Sequence, residues 1–163
     1  MEEIISFTPF EDIYKSFLSK ITDDMYMELD ENQTNAMLFE LLENAIPFFE
    51  FPRQDMTDYD VMLQSYNIEL TQEEINILST YMVVGWLNQQ LASVDNVRMK
   101  YSGSDFKFTS QANHMAKLIT LKEKYEKEGL HLQRLYKRRK KNKKGVMKST
   151  FSNIMSPMEE EDE

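Results

Sequence analysis

The sequence predicts an all-α fold: a small bundle of about four helices with a long last helix and an extended C-terminal arm, basic first and then acidic. Two observations predict it. Only four glycines and four prolines occur in 163 residues, which leaves few turns between long helices. Apolar residues recur every three or four positions in several segments, the period of an amphipathic helix. We assign residues 1–136 to one helical domain and residues 137–163 to the arm.

The net charge of −9 conceals a division between the domain and the arm. Residues 137–163 hold eight Lys/Arg and five Asp/Glu, a charge of +3, so residues 1–136 carry −12. A free nucleic-acid-binding domain usually has a basic body, which is the opposite distribution.

The chain has no cysteine, which excludes a disulfide scaffold and a thiolate metal site and fits a reducing compartment. The first residues, MEEIISF, are acidic where a secretory signal peptide is basic, so we do not expect secretion by that route.

The first helix is predicted from residue 8 to near Thr22. Thr8 is the expected N-cap, Pro9 the first helical residue and Glu11 the partner that completes a capping box. The following apolar residues keep helical spacing: Phe10, Ile13, Tyr14, Phe17, Leu18 and Ile21.

The second helix is predicted from about Asn32 to Ile46, because Pro47 pushes the residue before it out of the helical region. Its apolar stripe consists of Met37, Leu38, Leu41, Leu42, Ala45 and Ile46. Three phenylalanines follow within four positions: Phe48, Phe49 and Phe51. We expect them to plug the end of the helical core, with an exposed contact for a partner as the alternative.

Residues 53–70 give a weak and mixed signal. Their alternation of apolar and polar residues is too poor to favour a strand over a short helix or an ordered loop, so the three alternatives stay open. The acidic cluster Asp55, Asp58 and Asp60 is interpreted as a solvated loop. Its spacing lacks the glycine and the distant glutamate of a calcium loop.

The central helix is predicted from Thr71 to Val94, with Thr71 and Glu74 as a capping box. No residue from 75 to 94 is charged, and apolar residues fall on two sides of the helix. We therefore expect a helix that is buried in the core or shared between the core and a subunit interface. A membrane span is disfavoured, because Asn and Gln side chains would need partners in lipid. The residues assigned to a subunit interface or the core are Ile77, Tyr81, Val84, Trp86 and Leu91; Ile75, Leu78 and Met82 lie with Trp86 on one side.

A turn is predicted at residues 102–105, followed by a last helix that begins near Thr109 or Ser110 and runs to at least Tyr136. Its apolar stripe is Leu118, Leu121, Tyr125, Gly129, Leu132 and Tyr136. A glycine inside a helix costs about 1 kcal/mol relative to alanine, so Gly129 on this stripe predicts a close approach by another helix.

The run KRRKKNKK at residues 137–144 is the strongest local signal, with seven cations in eight positions. We expect the helix to continue into it for at most a turn or two, because like charges repel, and the run to be ordered only on a partner. Two interpretations stay open: a phosphate binder, and a basic tail that remains solvated or docks on an acidic protein surface. Gly145 ends the run, and the arm beyond it has sparse apolar anchors at Met147, Phe151, Ile154 and Met155.

No pattern of a catalytic, metal or cofactor site is present in the sequence. His114 and His131 lie on the last helix about 25 Å apart along its axis, too far to share a metal ion. Acidic pairs are expected by chance in so acidic a chain. We therefore predict that the protein is not an enzyme and that it uses no cofactor.

The chain contains, in this order, two amphipathic helices, an uncharged helix that begins LTQEE and carries a Trp, and the segment YSGSDFKFTSQANHMAKLITLKEKYEKEGLHLQRLYKRR. This order resembles that of the small helical head-to-tail connector (neck adaptor) proteins of tailed bacteriophages. The resemblance is strongest over residues 70–139; residues 1–69 are similar only in helical outline.

The resemblance implies a non-enzymatic virion protein of the head-tail neck, present in the host cytoplasm during assembly and not in a membrane. Such connectors form a ring, typically dodecameric, beneath the portal protein, extend the channel for packaged DNA and dock the next neck or tail completion protein. By analogy the portal-facing residues, or phosphate contacts, are Tyr136, Lys137, Arg138, Arg139, Lys140, Lys141, Lys143 and Lys144, with the arm to Met158.

Two other functions remain open. A helical DNA-binding regulator would use residues 137–144 to hold phosphates, although no basic helix-turn-helix is visible. A phage assembly chaperone or scaffold would share the helical fold and be absent from the virion.

Overall fold

The computed structural model describes residues 7–21, 31–100, 108–141 and 147–149, and it confirms a small helical bundle. Its helices are α1 (Phe10–Leu18), α2 (Glu31–Ala45), α3 (Gln72–Lys100) and α4 (Phe108–Arg138), with a 3₁₀ turn at Ile46–Phe48. Its strands are β1 (Thr8–Pro9), β2 (Tyr59–Asp60), β3 (Ser65–Tyr66), β4 (Arg139–Lys141) and β5 (Met147–Ser149). A small three-stranded sheet thus accompanies the predicted helices.

Helix α3 is the centre of the bundle, because α1, α2 and α4 all pack against it. Its start is the predicted capping box: Thr71 N and Oγ1 each donate to Glu74 Oε2 at 2.8 Å, and Glu74 N donates to Thr71 Oγ1 at 3.3 Å. Both predicted apolar sides are buried from residue 75 to residue 87. Among the described residues, no helix has the length and hydrophobicity that crossing a membrane requires.

The start of α1 differs from the prediction. Thr8 is not an N-cap: its Oγ1 accepts a hydrogen bond from Leu70 N at 2.8 Å, and Thr8 pairs with Tyr66 in the sheet. Pro9 occupies the N-cap position with an extended backbone (φ −61°, ψ 141°). The helix also ends at Leu18, earlier than the predicted Thr22; Ser19 N donates to the Lys15 carbonyl at 3.0 Å, and Lys20 N donates to the Phe17 carbonyl at 2.9 Å in the turn that follows. The predicted core residues Phe10, Ile13, Tyr14 and Phe17 are buried.

Helix α2 ends at Ala45, and Pro47 lies in the 3₁₀ turn that follows, as the proline predicts. The predicted aromatic plug is only partly right. Phe49 is buried, with its ring 5.3 Å from that of Tyr136. Phe48 stacks on Tyr81 but stays 56% exposed, and Phe51 is 58% exposed.

Residues 53–70 contain two short strands separated by a turn, which is one of the alternatives that the sequence left open. β2 and β3 pair as an antiparallel hairpin, and β1 pairs with the other edge of β3. Strands of two residues are too short to produce a visible alternation, which explains why the sequence could not separate a strand from a short helix or a loop. The acidic cluster caps turns: Asp55 accepts bonds from Thr57, Asp58 from Asn67, and Asp60 from the backbone of residues 62 and 63.

Helix α4 begins one residue before the predicted start and ends at Arg138. The basic run continues the helix for two residues, within the turn or two expected, and then becomes strand β4, which pairs with β5. The predicted turn at 102–105, Lys143, Lys144, Gly145 and the anchors Phe151, Ile154 and Met155 lie outside the described residues.

The close approach predicted at Gly129 is present. A Cβ at this position would lie 2.8 Å from Tyr81 Cζ and 3.0 Å from its hydroxyl oxygen. The Tyr81 ring is stacked on Phe48 at 14°, and Gln133 Nε2 donates to its hydroxyl at 2.6 Å, so the ring has little freedom to move. Glycine is therefore required here by the packing of α4 on α3.

We predict that Gly129→Ala destabilises the protein by up to about 2 kcal/mol, because the overpacking cost of about 1–3 kcal/mol outweighs the helix-propensity gain of about 1 kcal/mol. Gly85→Ala is the matched control: its Cβ would meet only Leu41 Cδ2, at 3.4 Å, an ordinary contact. We expect the control to be neutral or more stable. Urea unfolding measures both variants, and equal free energies of unfolding would contradict the packing described here.

Candidate functional site

The basic arm leaves the bundle where α3 begins and α4 ends. Glu74, 1% exposed, and Tyr136, 2% exposed, meet there in the core. The Tyr136 hydroxyl donates to Glu74 Oε1 at 2.5 Å, while Glu74 Oε2 accepts the two bonds from Thr71. Three donors thus satisfy a carboxylate that would otherwise be costly to bury. Tyr136, expected to face a partner, is instead buried, because its ring and hydroxyl complete this core.

Arg53 connects the loop after α2 to the end of α4. Its guanidinium lies 3.9 Å from the centroid of the Tyr136 ring, a cation–π contact. Its Nη2 donates to the carbonyl oxygens of Tyr136, at 2.6 Å, and of Arg139. Its backbone N donates to the Tyr136 hydroxyl at 3.0 Å. A cation that binds the last carbonyls of a helix satisfies unpaired acceptors and complements the helix dipole.

Two cations of the basic run pair with acids of the bundle. Lys137 Nζ lies 3.4 Å from Glu50 Oε2 and 3.5 Å from the centroid of the Phe51 ring. Arg139 Nη1 lies 2.7 Å from Glu73 Oε1. Such partly exposed pairs contribute about 0–1 kcal/mol each, so they orient the chain more than they stabilise it. We call the seven residues of this constellation the arm base: Glu50, Arg53, Glu73, Glu74, Tyr136, Lys137 and Arg139.

The rest of the predicted contact set is only partly described. Lys137, Arg138 and Arg139 are exposed at the end of the bundle. The register of β4 and β5 places Lys140 opposite Lys148 and Lys141 opposite Met147.

The five residues assigned to a subunit interface or the core belong to the core of a single chain. Ile77, Tyr81, Val84 and Trp86 are at most 8% exposed, and Leu91 is partly buried against the same core. Burial by helices of the same chain and burial by a neighbouring subunit require the same apolar pattern, so the sequence could not separate the two.

Several tyrosines of the described residues have a pKa that burial in the core raises. Burial and the hydrogen bond to Glu74 raise the pKa of Tyr136 above its ordinary value of 10.0, and burial likewise raises the pKa of Tyr14 and of Tyr66. These hydroxyls therefore keep their protons at neutral pH. No group of three His, Asp or Glu within the described ranges is arranged to hold a metal ion, and His114 and His131 are exposed.

Two features were missed by the sequence interpretation. Glu50, Arg53 and Glu73 contact the end of α4 across 66 to 87 positions of sequence, so no local spacing reveals them. The second is an exposed apolar turn between β2 and β3: Val61 is 52% exposed, Met62 92% and Leu63 72%. Three consecutive apolar residues within an acidic segment were the signal available for it.

Comparison of the chain with protein-family models, with curated proteins and with solved structures finds no match.

We predict that Tyr136→Phe lowers the free energy of unfolding by about 1–3 kcal/mol at neutral pH, because Glu74 loses a donor and Arg53 N loses an acceptor. The loss should shrink above about pH 10. A raised pKa in the fold means that the stabilisation is complete below the ordinary value of 10.0 and falls by about 1.4 kcal/mol per pH unit above it.

Urea unfolding at about pH 7 and about pH 11 measures this effect. Tyr59→Phe is the control, because the Tyr59 hydroxyl donates only to Glu43, at 3.1 Å in an exposed position. Equal losses of unfolding free energy for the two variants at neutral pH would show that the buried bond to Glu74 stabilises the fold no more than the exposed bond to Glu43 does.

Proposed function

We propose that this chain is a structural subunit of the neck of a tailed bacteriophage, a head-to-tail connector that forms a ring beneath the portal protein. The observation that carries the proposal is the arm base: a basic segment leaves an acidic body from a fixed position at one end of the bundle. The resemblance over residues 70–139 supports the same function.

A fixed base favours docking on another protein. Arg53 holds the last carbonyls of α4, so the segment that follows leaves the body in a defined direction. Lys137 and Arg139 are paired with Glu50 and Glu73, which reduces the positive charge that the run presents to free phosphates. An arm of this kind suits an acidic or polar groove on a portal ring that lies directly above the connector.

The acidic body fits the passage of DNA. With a charge of −12 on residues 1–136, a ring of such bodies repels phosphates, so packaged DNA would move through the channel without adhering to its wall. The Glu74 carboxylate and the Tyr136 hydroxyl of the arm base are engaged in structural hydrogen bonds, which fits a non-enzymatic role. The proposed partners are sister copies, the portal protein, the tail completion protein and the DNA in transit.

The proposal predicts that the full chain co-sediments with purified portal rings of the same phage. A variant that ends after Arg139 should lose this binding, because it lacks the strands β4 and β5 while keeping the arm base and the fold. Replacing Lys140 and Lys141 by Gln should weaken binding and reduce its dependence on salt. Circular dichroism and thermal unfolding of each variant check that the bundle is unchanged.

If the truncated chain binds portal rings as well as the full chain does, the arm is not the docking element. If neither binds, and the chain is missing from purified virions by mass spectrometry, the connector function is wrong and an assembly chaperone is favoured. A gel shift with duplex DNA at increasing salt separates the regulator, which should bind tightly with a steep salt dependence, from the connector, which should bind barely.

A further inference from the structure

The turn between β2 and β3 is rigid although its side chains are exposed. Asp60 Oδ1 accepts hydrogen bonds from Met62 N at 2.7 Å and Leu63 N at 3.1 Å, and Gln64 N donates to the Val61 carbonyl at 3.3 Å. Gln64 has a φ of 51°, a conformation that L residues rarely adopt outside tight turns. We call the exposed apolar residues Val61, Met62 and Leu63 the hairpin tip.

The two strands that carry the hairpin tip are anchored to α1 and α2 by a cluster of aromatic rings. Phe10 contacts Phe39, Tyr59 and Tyr66 with centroid distances of 5.4 to 5.8 Å, and Tyr59 contacts both Phe39 and Tyr66. The tip is further joined to α1, because Phe10 N donates to the Gln64 carbonyl at 2.9 Å. A preorganised apolar projection loses little conformational entropy on binding, so it is well suited to insert into a second surface.

A second apolar surface lies on α4. Its residues 112–121 are mostly exposed, and a shallow groove there is lined by Asn113, Ala116, Lys117, Thr120, Leu121 and Lys124. We call this the α4 groove. Leu121 is 37% exposed in it, and neighbouring Ile119 is 43% exposed. The hairpin tip and the α4 groove are both uncovered in the single chain, so they do not cover each other.

The charges around the two surfaces are complementary. The hairpin that carries the tip has acidic residues at Asp58 and Asp60, whereas Lys117 and Lys124 line the groove. Opposite charges at the edge of an apolar contact guide its orientation and disfavour pairing of a surface with itself. Tip against tip, or groove against groove, would bring like charges together.

We propose that the hairpin tip of one copy inserts into the α4 groove of the next copy, so that Met62 and Leu63 pack on Ala116 and Leu121. Two unlike surfaces form a heterologous contact, and repetition of such a contact closes a ring when the rotation between successive copies divides a full turn. This inference rests on the proposed function and specifies which residues join the subunits. The long unbranched side chain of Met62 adapts to a shallow groove.

The test uses two interface variants and one matched control, each in the full chain. The variants are Met62→Asp with Leu63→Asp, which removes the tip, and Leu121→Glu, which removes the groove. The control is Leu130→Glu, on the same helix at a similar exposure of 43% but outside the groove. Thermal unfolding checks that all three keep the fold, and sedimentation velocity measures assembly.

We expect the wild type and the control to assemble alike, and each interface variant to assemble at least about thirtyfold more weakly, the loss typical of a central interface residue. An equimolar mixture of the tip variant and the groove variant retains one intact contact per pair. It should therefore form dimers and nothing larger at concentrations where each variant alone stays monomeric, a combination that a self-paired interface cannot produce.

Each other outcome overturns the inference and has its own meaning for the proposed function. If the wild type forms rings and the interface variants do so equally well, the tip–groove contact is wrong while the ring remains. If the wild type is monomeric at every concentration, the contact is wrong, and portal co-sedimentation alone decides the connector function. If the mixture of the two variants stays monomeric, the two surfaces do not bind each other.

Discussion

The carboxylate of Glu74 is the group on which the arrangement of this molecule depends. It closes the first turn of α3 by accepting two hydrogen bonds from Thr71, and it accepts a third from Tyr136 at the end of α4. A buried carboxylate that lost a donor would be strongly destabilising, so α3 and α4 are held in one register at this end. Arg53 adds the loop after α2 to the same point. The direction in which the arm leaves the body follows from this junction.

The burial of α3 within one chain changes how an assembly can be built. A helix that is apolar on two sides suggested surface reserved for sister copies, but α1 and α2 together with α4 cover it. The core of the chain is therefore complete within one copy. In the proposed ring, contacts between copies would use outer surfaces, and the hairpin tip, the α4 groove and the arm are among the described regions that provide apolar area or concentrated charge there. Such a ring would assemble from folded chains without unfolding their cores.

Local signals in the sequence predicted local structure correctly. The capping box at Thr71 and the end of α2 before Pro47 depend on residues within one or two helical turns. A glycine on the apolar stripe of its own helix was enough to signal the close approach at Gly129, although the ring it meets, Tyr81, lies on another helix. Contacts between distant residues were not predictable in the same way. Thr8 resembles an N-cap, but Leu70 N, 62 positions away, takes its oxygen.

At the candidate site, too, contacts between residues distant in the sequence were not predictable. The basic run was visible as a cluster of charge, whereas Arg53, which fixes its direction, lies 83 positions before Tyr136 and has no spacing relation to it. Tyr136 fits an apolar stripe and a contact surface equally well until the position of Glu74 is known. The β2–β3 hairpin has strands of two residues, too short for a period to be read, although it carries Met62, at 92% the most exposed large apolar side chain of the part of the chain that the structure describes.

Hydrogen–deuterium exchange of the monomer and of the assembled ring tests the central claim most directly, namely that each chain buries α3 by itself and uses outer surfaces for contacts. We expect amides 75–87 to be protected from exchange equally in the two states, and protection at residues 61–64 and 113–124 to rise on assembly. Fast exchange of residues 75–87 in the monomer, with protection gained only in the ring, would contradict it.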